Sequence, residues 1–367
     1  MTTHVVCLDG TDQVKLQAHP TNISKIFDAL GGSAVDAGNG SWETVAPDLC
    51  GKYLPGVGSQ GDLILRALGN AFGDGIAEPI VRGYTFLSRQ FRAGDQIVIT
   101  GFSRGAAAAR ALAGFIAGCG LLDPAKYPAG DSHAGYLRAI AAWYAYRREK
   151  PDLANQARLA LMELKLGMVF PRLEPADFVP VPAITAVGVF DTVSSLGLPH
   201  VDAQGDAVFD FTICDSTLSP KVQHGFHALA ADETRDLFAP TFWAARDDVV
   251  QEIFPGAHSN VGGGYPERGL SDGALSWMLD KLKSVGVACD PARVQPSLAP
   301  NPLDPARDEA VVFPFKDTPR RPRRFPTTAG PGAALLARWG QPAEVLPGDA
   351  VTPYRALGVY ADGAPLH

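Results

Sequence analysis

Cysteine is sparse in this 367-residue chain and never closely paired. Cys7, Cys50, Cys119, Cys214 and Cys289 stand far apart with no C-x-x-C among them, which excludes a zinc ribbon and a thiol-disulfide redox motif. Several lie in apolar stretches, where a reduced thiol packs as a small hydrophobe, so synthesis in a reducing compartment is expected. Positive charge is also short. The 32 Lys and Arg are outnumbered by 39 Asp and Glu, a formal net charge of −7, and a protein that holds a nucleic-acid backbone needs a basic face. Nucleic acid is therefore excluded as the main partner. Long hydrophobic runs are missing too. The most apolar helix candidate, Ala106 to Leu122, is interrupted by Arg110 and is too short and too polar for a membrane span. The opening MTTHVVCLDGT has neither a basic n-region nor an apolar h-region. A chain that is cytoplasmic at synthesis is expected, with any export by a route that cleaves no leader.

What is present is an ordinary globular composition, 46% hydrophobic and 19% charged, with neither repeats nor low-complexity tracts. Apolar runs at His4–Leu8, Gln96–Thr100 and Ile184–Phe190 each end at a polar residue or glycine, as parallel strands covered on both faces do. Val249–Phe254 is a fourth. Helices are predicted between them at Asn22–Leu30, with Thr21 as N-cap, and at Ala77–Phe91, Arg104–Ala117, Val222–Ala231 and Asp272–Val285. Strand alternating with helix implies an α/β fold, a mostly parallel sheet flanked by helices. Residues 122–180 break the rhythm as a helical, cap-like insertion rich in Tyr, Trp, Leu and Arg. From about 290 to 367 the chain is Pro-rich and reads as an irregular wrap on one domain spanning 1–367.

The chemistry begins at Gly101-Phe102-Ser103-Arg104-Gly105, a G-x-S-x-G set directly after a strand and before an Ala-rich helix. Such a strand-to-helix turn is too sharp for bulky neighbours, and the glycines relieve it. The helix then points its first N–H groups at the serine, where negative charge develops in acyl transfer. A serine hydroxyl needs a base, and the base an orienting acid, which α/β-hydrolases supply in the order Ser, acid, His. Asp191, Asp210 and Asp215 are the acidic candidates near strand ends. Asp191 follows the cleanest strand, whereas Asp210 lies in an alternating segment that reads as a local hairpin. Among His133, His200, His224, His227 and His258, the last sits in a Gly-rich loop after a strand, where it would reach the serine. His224 and His227, three apart on a predicted helix, lack further ligands at matching spacing, so no metal is assigned. No cofactor is required by this chemistry.

Three further segments admit two readings each. Val5-Val-Cys-Leu-Asp-Gly-Thr11 resembles the start of haloacid-dehalogenase phosphatases, but Cys7 stands where their nucleophilic aspartate would be. The Asp9-Gly10-Thr11 loop is either a plain turn or a source of oxyanion N–H donors, with Gly10 joining Arg104. The run Arg320-Arg-Pro-Arg-Arg-Phe325 is either solvated surface or a contact for lipid headgroups. Likewise, the aromatic stretch at 133–148 is either a lid over an acyl groove or a packed helical cap.

Taken together, the motifs resemble the α/β-hydrolase family of the type VI secretion lipase effectors, in its first, phospholipase-like class. Asp9-Gly-Thr11, Thr21-Asn-Ile23, Tyr53-Leu-Pro-Gly-Val-Gly58, Gly101-Phe-Ser-Arg-Gly-Ala106 and Gly188-Val-Phe-Asp-Thr-Val193 carry the likeness. It continues through His227-Ala-Leu-Ala-Ala-Asp-Glu-Thr-Arg235, Phe254-Pro-Gly-Ala-His258 and Gly262-Gly-Gly-Tyr265. The resemblance implies a Ser103–His258–Asp191 triad, a lipid ester as substrate, contact with a membrane surface, and secretion-system and immunity partners. Unlike in the larger effectors, no long C-terminal membrane-anchoring module is expected in this sequence, which weighs against membrane insertion. A soluble esterase for small substrates and a catalytically idle binding or delivery module are the competing readings.

Overall fold

Along the first strand Val5 and Cys7 face one way, Val6 and Leu8 the other, and all four are buried. A strand hidden on both faces needs helices above and below its sheet. The protein, a computed structural model, is built this way. Residues 1–11, 13–56, 76–126, 132–148, 172–193, 200–201, 207–208, 216–308, 320–344, 346 and 348–367 are described here.

The central sheet contains β1 (Thr3–Leu8), β2 (Ser33–Asp36), β3 (Trp42–Ala46), β4 (Leu49–Leu54) and β5 (Gln96–Phe102). It continues with β6 (Ile184–Phe190), β7 (Val222–Ala230), β8 (Val249–Phe254) and β9 (Ala329–Pro331). Their order is β9-β8-β7-β6-β5-β1-β4-β3-β2. From β4 to β9 all neighbours are parallel, and only the β2–β3–β4 edge is antiparallel. Helices α1 (Asn22–Ala29), α2 (Ala77–Gln90), α3 (Arg104–Cys119), α4 (Ser132–Arg148), α5 (His258–Gly262), α6 (Gly269–Ser284) and α7 (Ala333–Arg338) surround it. On one face α2, α3 and α4 pack on Val6, Leu8, Ile97 and Ile99. On the other, α1 and α6 pack on Val5, Cys7, Val98 and Ala186. None of the described helices is long and apolar enough to cross a membrane.

Thr21 caps α1 as expected, its hydroxyl accepting from the Ser24 N–H at 3.2 Å. The segment 222–231 is a correction: it is strand β7, not a helix. Its Ala-rich end has helical propensity, but a strand buried between β6 and β8 has no polar face to alternate, so tertiary pairing overrides the local preference. Helix α6 also begins at Gly269, earlier than Asp272. In the insertion, α4 buries Ile140, Trp143 and Tyr144 in the core, and Trp143 meets Phe115 of α3 at 5.3 Å. The described part of that stretch is thus a packed cap; residues 149–171 lie outside the described ones. The C-terminal stretch is less irregular than expected. It adds β9 to the sheet edge and forms its own core around Phe325, Leu335 and Leu366.

Helices α1 and α6 are pinned by a buried ion pair, Lys25 Nζ to Asp272 Oδ1 at 2.7 Å. Burial pulls the Lys25 ammonium down from its ordinary value, and the Asp272 carboxylate opposes that. Removing one partner strands the other charge in a medium that cannot solvate it. Asp272→Ala is expected to lower the unfolding free energy by about 3–5 kcal/mol, read from urea denaturation.

Candidate active site

Strands β5 and β6 run side by side, with Phe102 opposite Phe190, so the residues that follow them emerge together. These are Ser103 and Asp191. Ser103 has φ +58° and Asp191 φ +40°. Positive φ costs a non-glycine residue about 1–3 kcal/mol and survives only where surroundings enforce it. Asn39 alone joins them among the described non-glycine residues. The enforcement is visible in hydrogen bonds: the Ser103 N–H donates to the Phe190 carbonyl at 3.1 Å, and the Asp191 N–H to the Ala228 carbonyl at 2.7 Å.

The turn at Ser103 is as tight as its glycines imply. A Cβ on Gly101 would lie 2.3 Å from the Gly105 carbonyl oxygen, and one on Gly105 2.3 Å from the Leu8 and Asp9 carbonyl oxygens. Every atom they would strike is backbone. Helix α3 starts at Arg104, so its N-terminus abuts the serine as expected.

His258 opens α5, immediately after the Pro-Gly-Ala turn that ends β8. Its Nδ1 donates to Asp191 Oδ2 at 2.6 Å, and both side chains are buried. The ring is wedged between Phe102, 4.7 Å away, and Phe238, 5.0 Å away and edge-on. Phe102 in turn leaves no room for a side chain at residue 262, where a Cβ would fall 2.0 Å from its ring. His258 Nε2 is buried and has no hydrogen-bond partner among the described residues.

Asp191 carries more than the histidine. Its Oδ1 accepts from the Ala230 N–H at 3.0 Å and from Arg323 Nη1 at 2.6 Å, while Arg323 Nη2 reaches Oδ2 at 2.9 Å. Burial alone would push this carboxyl up. The Arg323 guanidinium, and then the His258 hydrogen bond, reverse that and hold it well below the ordinary carboxylate range. Arg323 comes from the basic run expected to be surface or lipid contact. For Arg323 and Phe325 that expectation is corrected, since both are buried; Arg320, Arg321 and Arg324 are exposed, with Arg320 paired to Asp308 and Arg321 to Asp236.

His227 was expected on a helix and lies instead buried on β7, where its Nε2 accepts the Thr192 N–H at 3.1 Å. Burial, with the Arg110 guanidinium adding to it, pulls this imidazole down to about 3, so it is a neutral support beneath the Asp191 turn. Glu233 accepts three hydrogen bonds from Arg235 and one from the His258 N–H at 3.3 Å. Neither Arg323 nor Glu233 is legible from spacing; the only signal for Glu233 is its place in the resemblance motif. Asp210 and Asp215 lie outside the described residues, as do the side chains of His133 and His200.

The loop after β1 brings Asp9 beside this centre. Its carboxylate accepts from Tyr53 Oη at 2.6 Å, Thr21 Oγ1 at 2.7 Å and the Gly10 N–H at 2.8 Å. The Gly10 N–H, expected either as an oxyanion donor or as part of a plain turn, is hydrogen-bonded here to the Asp9 carboxylate. Arg104 Nε donates to Thr11 Oγ1, tying the loop to the helix.

A serine at a strained strand-to-helix turn, in one site with a buried aspartate–histidine pair, is an arrangement chemically able to carry out acyl transfer. Residues 2–281 match the family model "T6SS, Phospholipase effector Tle1-like, catalytic domain", and the chain belongs to that family. An uncharacterized protein of Saccharomyces cerevisiae is 29% identical over 248 residues, 64% of this chain but 31% of its own length. Two solved structures resemble it more remotely. An uncharacterized protein from Pseudomonas aeruginosa has 16% identity and a TM-score of 0.41, covering 82% of this chain and 49% of its own. The Tle1 effector bound to the VgrG spike from the Type 6 secretion system has 18% identity and a TM-score of 0.38, covering 73% and 52%. The chain thus spans about half the length of these two and less than a third of the yeast relative.

Burial pushes the Asp9 carboxyl up from 3.8 to about 6, its three donors only partly opposing this. A folded-state value above the unfolded one gives stability that is full below about pH 4 and lost as pH rises through 6. Asp9→Asn removes that dependence. Its unfolding free energy minus that of the wild type is expected to rise by on the order of 3 kcal/mol between about pH 4 and 7, measured by urea denaturation at each pH.

Proposed function

We propose that this chain is a serine ester hydrolase of phospholipase A type, working through Ser103, His258 and Asp191. The observation that carries the proposal is the buried 2.6 Å bond from His258 to Asp191 beside a serine held at φ +58°. Membership of the Tle1-like family supports a phospholipid as the ester and type VI secretion as the delivery route. A secretion-spike component and an immunity protein are the partners that such a route entails.

In the proposed reaction Ser103 Oγ attacks the acyl carbonyl while His258 Nε2 takes its proton. Asp191 keeps the imidazole proton on Nδ1 and stabilises the cation that forms. In this reading the Arg104 N–H, first in α3, donates to the developing oxyanion, and the helix dipole adds to it. His258 then protonates the departing lysophospholipid alkoxide. Water, deprotonated by His258, cleaves the acyl-enzyme to a fatty acid and restores Ser103. His258 Nε2 is suited to this task because no other described group competes for it.

Mixed phospholipid vesicles incubated with wild type and analysed by mass spectrometry are expected to yield fatty acid and lysophospholipid. Ser103→Ala is expected to lower both by about 10³-fold or more. Equal turnover in the variant would overturn the mechanism. Cleavage of a short soluble ester with no lipid release would retain the triad and move the substrate away from phospholipid.

A further inference from the structure

Arg323 belongs to the segment beyond residues 2–281, yet it touches the centre of the site. Its guanidinium makes four hydrogen bonds, all to groups around Asp191. Nη1 reaches Asp191 Oδ1 at 2.6 Å and the Ala230 carbonyl at 2.8 Å. Nη2 reaches Asp191 Oδ2 at 2.9 Å and the Phe238 carbonyl at 2.6 Å. With the Ala230 N–H also on Oδ1, the paired contacts fix the plane of the carboxylate. They therefore fix the direction in which Oδ2 meets His258.

We propose that Arg323 is a positioning residue for the catalytic centre, one that aligns Asp191 by both oxygens and offsets its charge. The proposal rests on His258 acting as the base. An isolated buried carboxylate at 2.6 Å would strongly favour a protonated imidazole, which is useless as a base. A guanidinium on the same carboxylate offsets that pull.

Other charges near the pair are already matched or neutral. Glu233, which accepts the His258 N–H, is paired with Arg235. On β7, His227 is held neutral by burial and by Arg110 of α3, whose guanidinium donates to the Thr241 carbonyl and lies over Trp243. Arg104 of α3 bonds Thr11, and Asp9 is held by Tyr53, Thr21 and Gly10. Asp232 is tied to Tyr354, and Arg321 to Asp236. Only Arg323 places a cation directly on Asp191 among the described residues.

The test uses a fluorophosphonate probe, whose reaction with a serine reports base activation without any lipid. Wild type, Arg323→Gln and Arg323→Lys, each verified as folded by circular dichroism, are labelled from about pH 4 to 9. Wild type is expected to label at Ser103 with a rate that falls on the acid side. In Arg323→Gln that acid limb is expected to move up by about one pH unit or more, since a neighbouring charge of this kind is worth about one to three. Arg323→Lys is expected to keep the wild-type limb and lose about tenfold or more in rate, because charge remains while the two-point alignment goes. Superimposable limbs for wild type and Arg323→Gln would overturn the proposal and leave the triad standing. No labelling of the wild type would overturn the triad and the proposal together. Should Arg323→Gln not fold, a wild-type rate in folded Arg323→Lys would be the overturning result.

Discussion

Two oxygens of Asp191 gather four donors from three distant parts of the chain. A carboxylate this deeply buried costs several kcal/mol in lost hydration unless its lone pairs are matched. The cost is offset only when β7, α5 and the C-terminal segment have all arrived in register. The centre therefore acts as a constraint on assembly as well as a site of chemistry. Its strain points the same way. Ser103 and Asp191 both hold positive φ, and neither would do so without the neighbouring strand carbonyls that take their N–H groups.

Around that pair runs a ring of supports, each acting on the geometry of the next. His227 takes the Thr192 N–H and so fixes the turn immediately after Asp191. Glu233 takes the His258 N–H, and Arg235, held by Glu233, covers the Phe238 ring at 3.5 Å. Phe238 then closes one side of His258 and gives its carbonyl to Arg323. On the far side Asn22 bonds the Val261 and Ser271 carbonyls, tying the start of α1 to the helix that carries the histidine. His227, Glu233, Arg235 and Phe238 thus act together on the setting of a single imidazole.

Much of this was legible from residue order because it depends on local rules. The run Ile184–Phe190 ends where its strand ends, since a parallel strand covered on both faces is largely apolar, and Val249–Phe254 ends likewise although it carries Gln251 and Glu252. The elbow at Ser103 was readable because its glycines answer a steric demand within five residues. Strand β7 was not. Its buried His227 and its alanines look helical until the neighbours on both sides are known. Arg323 was hidden for a related reason. A run of arginines reads as solvated because charge prefers water, and only a partner some 130 residues away makes burial of one member favourable. Long-range compensation of that kind leaves no periodicity to detect.

In the proposed hydrolysis, the same supports set the base before the reaction begins. His258 is fixed by a hydrogen bond at Nδ1, another at its backbone and an aromatic ring on each side, so its free Nε2 edge is oriented before any ester arrives. Pre-orientation of this sort lowers the entropy lost in reaching the transition state, and its benefit does not depend on which acyl group is bound. That edge is held through Asp191, so within the proposal proton transfer and assembly of the structure depend on the same buried carboxylate.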